Sequence, residues 1–250
     1  MRFSSALTVF PITLIAWLSA CSPRPLHILE HQDQQYTIIQ QQASDSSMVS
    51  MLKPYKNGVD TQMQVVIGHT DIPLTKAQPE STLGNFLADA TLVAGQQLDR
   101  KVVAALENYG GIRLPYIAPG AITRGKIYEL MPFDNMLTII EIPGSDLQTL
   151  CDGIAQRKGW PISGISFSIK DQKAINVLVA GKPLVSSLVY KIAVNDYIAR
   201  GGDNCDVLIS LKKRNTTVFL RDAMITYLTN LEHDGKPLHP VLDKRIQYAE

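Results

Sequence analysis

Charge of either sign is not in surplus: 24 Lys and Arg stand against 23 Asp and Glu, a formal net charge of +1. Without a basic excess little is available to neutralise a phosphate backbone, which argues against a nucleic-acid partner. Long apolar runs are equally scarce. The single one lies at the extreme N-terminus, which excludes a polytopic membrane protein. Cysteines number three and histidines five, too few for a disulfide framework or a Cys/His zinc cluster. The 14 Pro and 16 Gly are ordinary amounts and leave no room for a collagen-like or low-complexity chain. No G-x-S-x-G elbow, no P-loop and no G-x-G-x-x-G after a strand is present. Gly68-His69-Thr70 is the one hint of a metallophosphatase Gly-His pair. No Asp-x-His or Gly-Asn-His-Glu accompanies it, so His69 reads as a strand surface residue.

What is present suffices for a folded body. Of the 250 residues 45% are apolar and 19% charged, enough to bury a core in one or two domains. Arg2 precedes an apolar stretch from Ala6 to Leu18, too short to span a bilayer comfortably and suited to a signal-peptide core. Leu18-Ser19-Ala20-Cys21 then resembles a bacterial lipobox, in which Cys21 becomes the lipidated first residue. The expectation is a signal peptide over 1–20 and a polar, Gln-rich tether over 21–45, with Tyr36–Ile39 as an added strand. A body follows over 46–250. Such a protein is exported and lipid-anchored to the cell envelope, at the outer membrane or the periplasmic face in a Gram-negative host. Cys151 and Cys205 remain as either one disulfide or two buried small side chains, and burial is the favoured reading.

Hydrophobic spacing predicts a short helix from Ser46 to Leu52, stopped before Pro54, and a strand between Met63 and Leu74. Ser81 or Thr82 caps a helix to about Leu98, with Leu83, Phe86, Leu87 and Ala90 on one face. A strand over 101–106, a brief helix over 122–130 and a strand over 136–142 come next. Ser145 opens a helix with Gln148 completing a capping box and Leu147, Leu150, Cys151 and Ile154 as its buried stripe. Strands are predicted over 165–169, 175–179 and 188–194. Thr217 caps a last long helix to about Leu231, and a final strand covers 245–248. Helices and strands mix without strict βαβ alternation, which places the body in the α+β class.

Three loops carry candidate chemistry. Asn108-Tyr109-Gly110-Gly111-Ile112-Arg113 follows a strand, and its glycines allow a sharp turn close to a ligand. Arg113 offers a planar fork for phosphate or carboxylate, or is simply solvated beside a Gly-Gly turn. Pro132-Phe133-Asp134-Asn135 sets an aromatic beside an amide. Phe133 either stacks on a ring while Asn135 contacts its edge, or packs in the core at a strand entry. In the run from Asn195 to Asp203 an aromatic, Tyr197, precedes a second Gly-Gly turn closed by Asp203. Two aromatics suit a sandwich around a flat ring, and Asp203 suits sugar hydroxyls.

In this order and spacing the three loops resemble the C-terminal domain of the 5′-nucleotidase family. The likeness runs from about Asp60 to Leu231 and includes the helix opening from Glu80 to Ala90. The resemblance implies a mixed-sheet layered domain that carries substrate specificity. It assigns Phe133 and Tyr197 to a nucleobase sandwich, Asn135 and Asp203 to base or sugar, Arg113 to the phosphate, and Asn108 and Gly111 of the same motif to substrate binding. Gly159 falls near a loop glycine that lines the family pocket. An arginine usual just before the Leu-Gly-Asn helix is missing: Ala77 stands there with Lys76 adjacent, and lysine is a point charge rather than a fork. The family's metallophosphatase part, with its divalent metals and catalytic residues, has no counterpart in this sequence. The expectation is therefore a nucleotide-binding half of a 5′-nucleotidase-type hydrolase, inactive alone and completed by a separate metallophosphatase chain. The alternative is a non-catalytic nucleoside-binding surface lipoprotein.

Overall fold

A computed structural model describes residues 45–249. Cys21, the N-terminal leader and the tether up to residue 44 lie outside the described residues. From Ser50 onward the chain forms one compact unit.

Helix α1 (Ser46–Met63) begins where Asp45 Oδ1 accepts from the backbone amides of Ser47 and Met48, at 2.8 and 3.1 Å. It does not stop before Pro54 as expected. Met48, Leu52, Tyr55 and Val59 recur at helical spacing on both sides of the proline, and the helix continues through it at the loss of one backbone bond. The expected strand between Met63 and Leu74 is two strands with different partners. β1 (Val66–Thr70) pairs with β5 (Gly120–Thr123), and β2 (Leu74–Thr75) with β4 (Tyr116–Ile117).

The centre is a five-stranded sheet in the order β12-β6-β11-β3-β7, comprising Lys213–Phe219, Met136–Pro143, Val189–Asn195, Val102–Leu106 and Ile162–Ser163. Only β3 and β11 run parallel; the other neighbours are antiparallel. Both faces are buried, so inward residues alternate between two cores. In β6, Leu137 and Ile139 enter one core and Ile140 and Ile142 the other. In β3 the alternation slips: Lys191 and Ile192 face Val102 and Ala104, so Val103 is an extra residue. The slip puts Val102 and Ala105 in one core and Ala104 and Leu106 in the other.

One face is covered by α2 (Thr82–Leu98), α3 (Arg124–Leu130) and α6 (Leu220–His233). Ser81 caps α2 as expected, its hydroxyl accepting from the Gly84 amide, and Leu83, Phe86, Leu87 and Ala90 are buried at helical spacing. The other face is covered by α4 (Gly144–Gln156) and a second sheet, β10-β9-β8-β13 (Lys182–Pro183, Lys173–Val179, Ile165–Lys170, Ile246–Tyr248). The architecture is α+β with mixed sheets in layers.

Three helix starts differ from expectation. Ile122 is buried in β5, and Thr123 caps α3 instead. Ser145 lies inside the first turn of α4, and Gln148 donates to Asp152 and the Ala174 carbonyl rather than closing a capping box. Thr217 belongs to β12, a polar edge strand whose Lys-Arg-Asn-Thr-Thr run masks it in a hydrophobicity pattern. Cys151 and Cys205 are both free and buried. Burial pushes their thiols up to about 12 and about 11, so neither is a thiolate near neutrality. His69 is half-exposed on β1, with Nδ1 2.9 Å from the Glu232 carboxylate.

The C-terminal strand is tied to α2 by Arg245. Its Nη1 and Nη2 donate to the two carboxylate oxygens of Asp89 at 2.7 and 3.0 Å, and Asp89 also accepts from Ser163 at 2.6 Å. Their side chains are only 14% and 26% exposed, so removing one partner strands the other in a poorly solvated place. We expect Asp89→Ala to destabilise the fold by about 3 kcal/mol in chemical denaturation, well beyond a surface pair.

Candidate functional site

Strand direction brings the three loops together. The parallel strands β3 and β11 end at the same edge of the sheet, and antiparallel β6 starts there. The loops after β3 and β11 and the loop before β6 therefore meet. They enclose a cleft of about 330 Å³ lined by Asn108, Gly110, Gly111, Arg113, Phe133, Asn135, Tyr197 and Asp203. Its size falls within the range of small-molecule sites, about 300–1,000 Å³.

The loop after β3 makes one 3-10 turn, Tyr109–Gly111, pinned by buried Ile112. Lys76 reaches across to donate to the Ile112 carbonyl at 2.7 Å, with its ammonium 4.2 Å from the Tyr109 ring centroid. Burial, and after it the Arg113 charge, holds the Lys76 ammonium below the ordinary lysine value. Two cations thus share one end of the loop. The Arg113 guanidinium also lies 5.5 Å from the Phe133 ring centroid.

The loop carrying Phe133 is held from α6. Arg221 donates to the Met131 and Phe133 carbonyls and to Asp134 Oδ1, the last at 2.6 Å, and packs over the Tyr128 ring. With its backbone so fixed, Phe133 projects outward and is 41% exposed. That excludes the core-packing reading of Phe133.

After β11, Asn195 caps the short helix α5 (Asp196–Ala199) by accepting from the Ile198 amide at 2.8 Å. Asp196 accepts from the Met136 amide at 3.1 Å and so ties this loop to the start of β6. A Cβ on Gly202 would lie 2.5 Å from the Tyr197 ring, so the backbone itself packs on the aromatic face. Asp203 follows with φ of +52°, an unusual conformation for a residue with a side chain. The strain is held by two donors: Asn108 Nδ2 reaches Asp203 Oδ2 at 2.8 Å and the Tyr197 hydroxyl reaches Oδ1 at 3.0 Å. The bond to Asp203 in turn raises the phenol above its ordinary value. Tyr197 is 46% exposed, as a ring that faces a cleft must be.

Seven of the eight residues expected to bind ligand therefore line one cleft. Gly159 does not. It follows α4 at φ of +108°, where a Cβ would lie 2.3 Å from the Pro79 carbonyl oxygen. Glycine is needed there for two backbones to approach. Lys76, noted beside the missing arginine, holds the first loop. Asn195, Arg221 and buried Glu107, which sequence spacing did not single out, hold the loops of the cleft from behind. Asn195 left a signal, an Asn immediately before a helix. Among the described residues no three His, Cys, Asp or Glu side chains gather into a metal-sized group.

The profile of the family described as "5′-nucleotidase, C-terminal domain" matches residues 66–209, more than half of the chain. The chain belongs to this family. Relatives include the 5′-nucleotidase of Vibrio cholerae, 26% identical over 172 residues that make up 64% of this chain and 30% of that protein. Protein UshA of Escherichia coli is 27% identical over 166 residues, again 64% of this chain and 30% of the relative. The 5′-nucleotidase precursor of Thermus thermophilus superposes with a TM-score of 0.70 at 28% identity, covering 80% of this chain and 43% of that structure. The chain spans less than a third of the length of these two curated relatives.

Arg221 is the residue whose loss should reach the cleft from outside it. In Arg221→Ala the carbonyls of Met131 and Phe133 lose their donor and Tyr128 its packing partner. Amide hydrogen exchange followed by mass spectrometry should then rise by about tenfold over residues 131–136 and stay unchanged in β3.

Proposed function

We propose that the chain is the substrate-specificity half of a 5′-nucleotidase-type phosphohydrolase, binding a nucleoside or nucleotide in the cleft. The observation that carries this reading is the pair of half-exposed rings, Phe133 and Tyr197, on one cleft with a pre-positioned carboxylate between loops. Such rings stack on a nucleobase from its faces. Asp203, already fixed by Asn108 and Tyr197, accepts from ribose hydroxyls without first having to be ordered. Arg113, with Lys76 beside it, receives the phosphate end. Asn135, next to Phe133, reads a base edge.

Hydrolysis in this reading is supplied by a separate metallophosphatase chain that carries the divalent metals. This chain's own contribution is to hold the ester in place, so that a bimolecular encounter becomes an oriented one. Cys21 anchors the protein to the envelope by a lipid.

Calorimetric titration with adenosine tests the site. Phe133→Ala and Tyr197→Ala should each weaken binding by about tenfold or more while largely keeping the fold, because neither ring is a core residue. Tyr197→Phe keeps the ring but frees Asp203 from one donor, and should cost about fivefold. Arg113→Ala should weaken adenosine monophosphate far more than adenosine. Equal binding by wild type and both Ala variants, or no binding by wild type, overturns the assignment. For the anchor, Cys21→Ala should move the protein from the membrane fraction to the soluble one; an unchanged partition rejects lipidation.

A further inference from the structure

Behind the cleft lies an ionisable group that the proposed binding does not use. Glu107 follows β3 and is fully buried at 1% exposure. Its Oε2 accepts from Asn195 Nδ2 at 2.6 Å. The other Asn195 amide hydrogen goes to Asn108 Oδ1 at 3.0 Å, and Asn108 donates onward to Asp203. Glu107 thus ends a relay that runs through two amides to the carboxylate and the Tyr197 hydroxyl at the cleft surface.

The hydrogens in this relay can be counted. Thr91 Oγ1 lies 2.9 Å from the Leu87 carbonyl oxygen and 3.1 Å from Glu107 Oε1, but a threonine hydroxyl has one hydrogen. Turned toward an ionised Glu107, it would leave two oxygen lone pairs facing each other at the Leu87 contact. With a proton on Oε1 every contact is satisfied: Glu107 donates to Thr91, Thr91 donates to Leu87, and Oε2 still accepts from Asn195. We infer that Glu107 is a positioning residue of the cleft, held as the neutral acid, which fixes the Asn195 amide and through it Asn108 and Asp203. This rests on the nucleoside-site reading for its effect on ligand, but not for the relay itself.

The surroundings agree. Burial pushes the carboxyl up to about 7 against the hydrogen bonds that Asn195 and Thr91 would give its charged form, and the like charge of Asp196 on α5 adds to the rise. Asp203 is one amide further away. On α2 the facing Thr91 is neutral, and Asp89 is taken up by Arg245 and Ser163. Near neutral pH the proton is therefore lost with a small rise in pH, and a charge whose partners Asn195 and Thr91 are both neutral is left in a dry place. The nearest relief is water entering from the cleft past Asn108, which loosens Asn195 and with it the cap of the helix that carries Tyr197. The linkage sign follows. A folded-state value above the ordinary 4.5 contributes stability that is present below 4.5 and lost as pH rises through about 7.

Glutamine reproduces the neutral acid, with an oxygen for Asn195 and an N–H for Thr91, whereas alanine leaves an Asn195 hydrogen unpaired. Adenosine affinity is measured by calorimetry at about pH 6 and about pH 8, on either side of the titration, for wild type, Glu107→Gln and Glu107→Ala. Wild type should bind about threefold or more weakly at the higher pH, Glu107→Ala should lose about tenfold at the lower pH, and Glu107→Gln should restore affinity and flatten the profile. A Gln variant that keeps the wild-type pH dependence, or an Ala variant that is folded and binds as wild type, overturns the inference. Side-chain amide resonances of Asn108 and Asn195 are followed over the same range without ligand. If wild type binds no adenosine, the nucleoside site is rejected, and the amides still decide on Glu107. Amides that shift with its titration in wild type and stay fixed in the Gln variant support the relay; amides that do not move in wild type overturn it.

Discussion

The parallel pairing of β3 with β11 is the constraint on which the cleft depends. Two strands that run the same way finish at the same edge, so Asn108 and Asn195 leave the sheet side by side. Antiparallel β6, paired to the far side of β11, begins at that edge and delivers Phe133 and Asn135. The sheet can hold this arrangement because it is buried on both faces, between α2, α3 and α6 on one side and α4 with the second sheet on the other. The slip at Val103 serves the same arrangement. It turns Ala104 and Leu106 to the core opposite Val102, and the strand ends with Leu106 and Glu107 both buried.

Polar contacts then fix what the strands deliver. Asn195 caps α5 with its oxygen and commits both amide hydrogens to Glu107 and Asn108, so its orientation is settled by three partners. Asn108, oriented in turn, holds Asp203 in a conformation that a side-chain-bearing residue rarely adopts. The order of dependence runs outward, from groups with no access to water to a carboxylate and two rings that have it. Exposed aromatic faces held by a buried polar frame are what a binding site requires and what a core does not.

Much of this was legible in the sequence because local rules and tertiary structure agree. Leu83, Phe86, Leu87 and Ala90 mark α2, the alternation from Leu137 to Ile142 marks β6, and the Gly-Gly turns mark two of the three loops. Apart from the helix that runs through Pro54, the failures share a cause: each depends on a partner distant in the chain. Thr217 looks like a helix cap until β6 claims it as an edge strand. Gly159 resembles a pocket glycine until Pro79 is seen pressed against it. Nothing local to Phe133 announces Arg221, which arrives from a helix almost ninety residues later. Glu107 reads as the polar end of an apolar strand, and its meaning appears only when Thr91 and Asn195 close around it.

The charges around the cleft are of both signs. Arg113, beside the Phe133 ring, and Asp203, already engaged by two donors, line the same cleft, and Lys76 is held close by on the Ile112 carbonyl. A ligand that complements both signs needs an anionic group, hydroxyls able to donate, and a flat apolar face. Few small molecules carry all three, and nucleotides are among them. Near Ala77, where the family resemblance places a fork-shaped arginine, the adjacent cation is Lys76. Lys76 is anchored on the Ile112 carbonyl and the Tyr109 ring, so it contributes charge from a fixed point and leaves directional contact to Arg113 alone. On the proposed reading Lys76 draws an anion by charge alone, Arg113 orients it through its fork, and Asp203 contacts hydroxyls at short range. If the cleft holds a nucleotide as proposed, the hydroxyl contacts and the ring set which ligand fits, and the two cations supply attraction and, through Arg113, orientation.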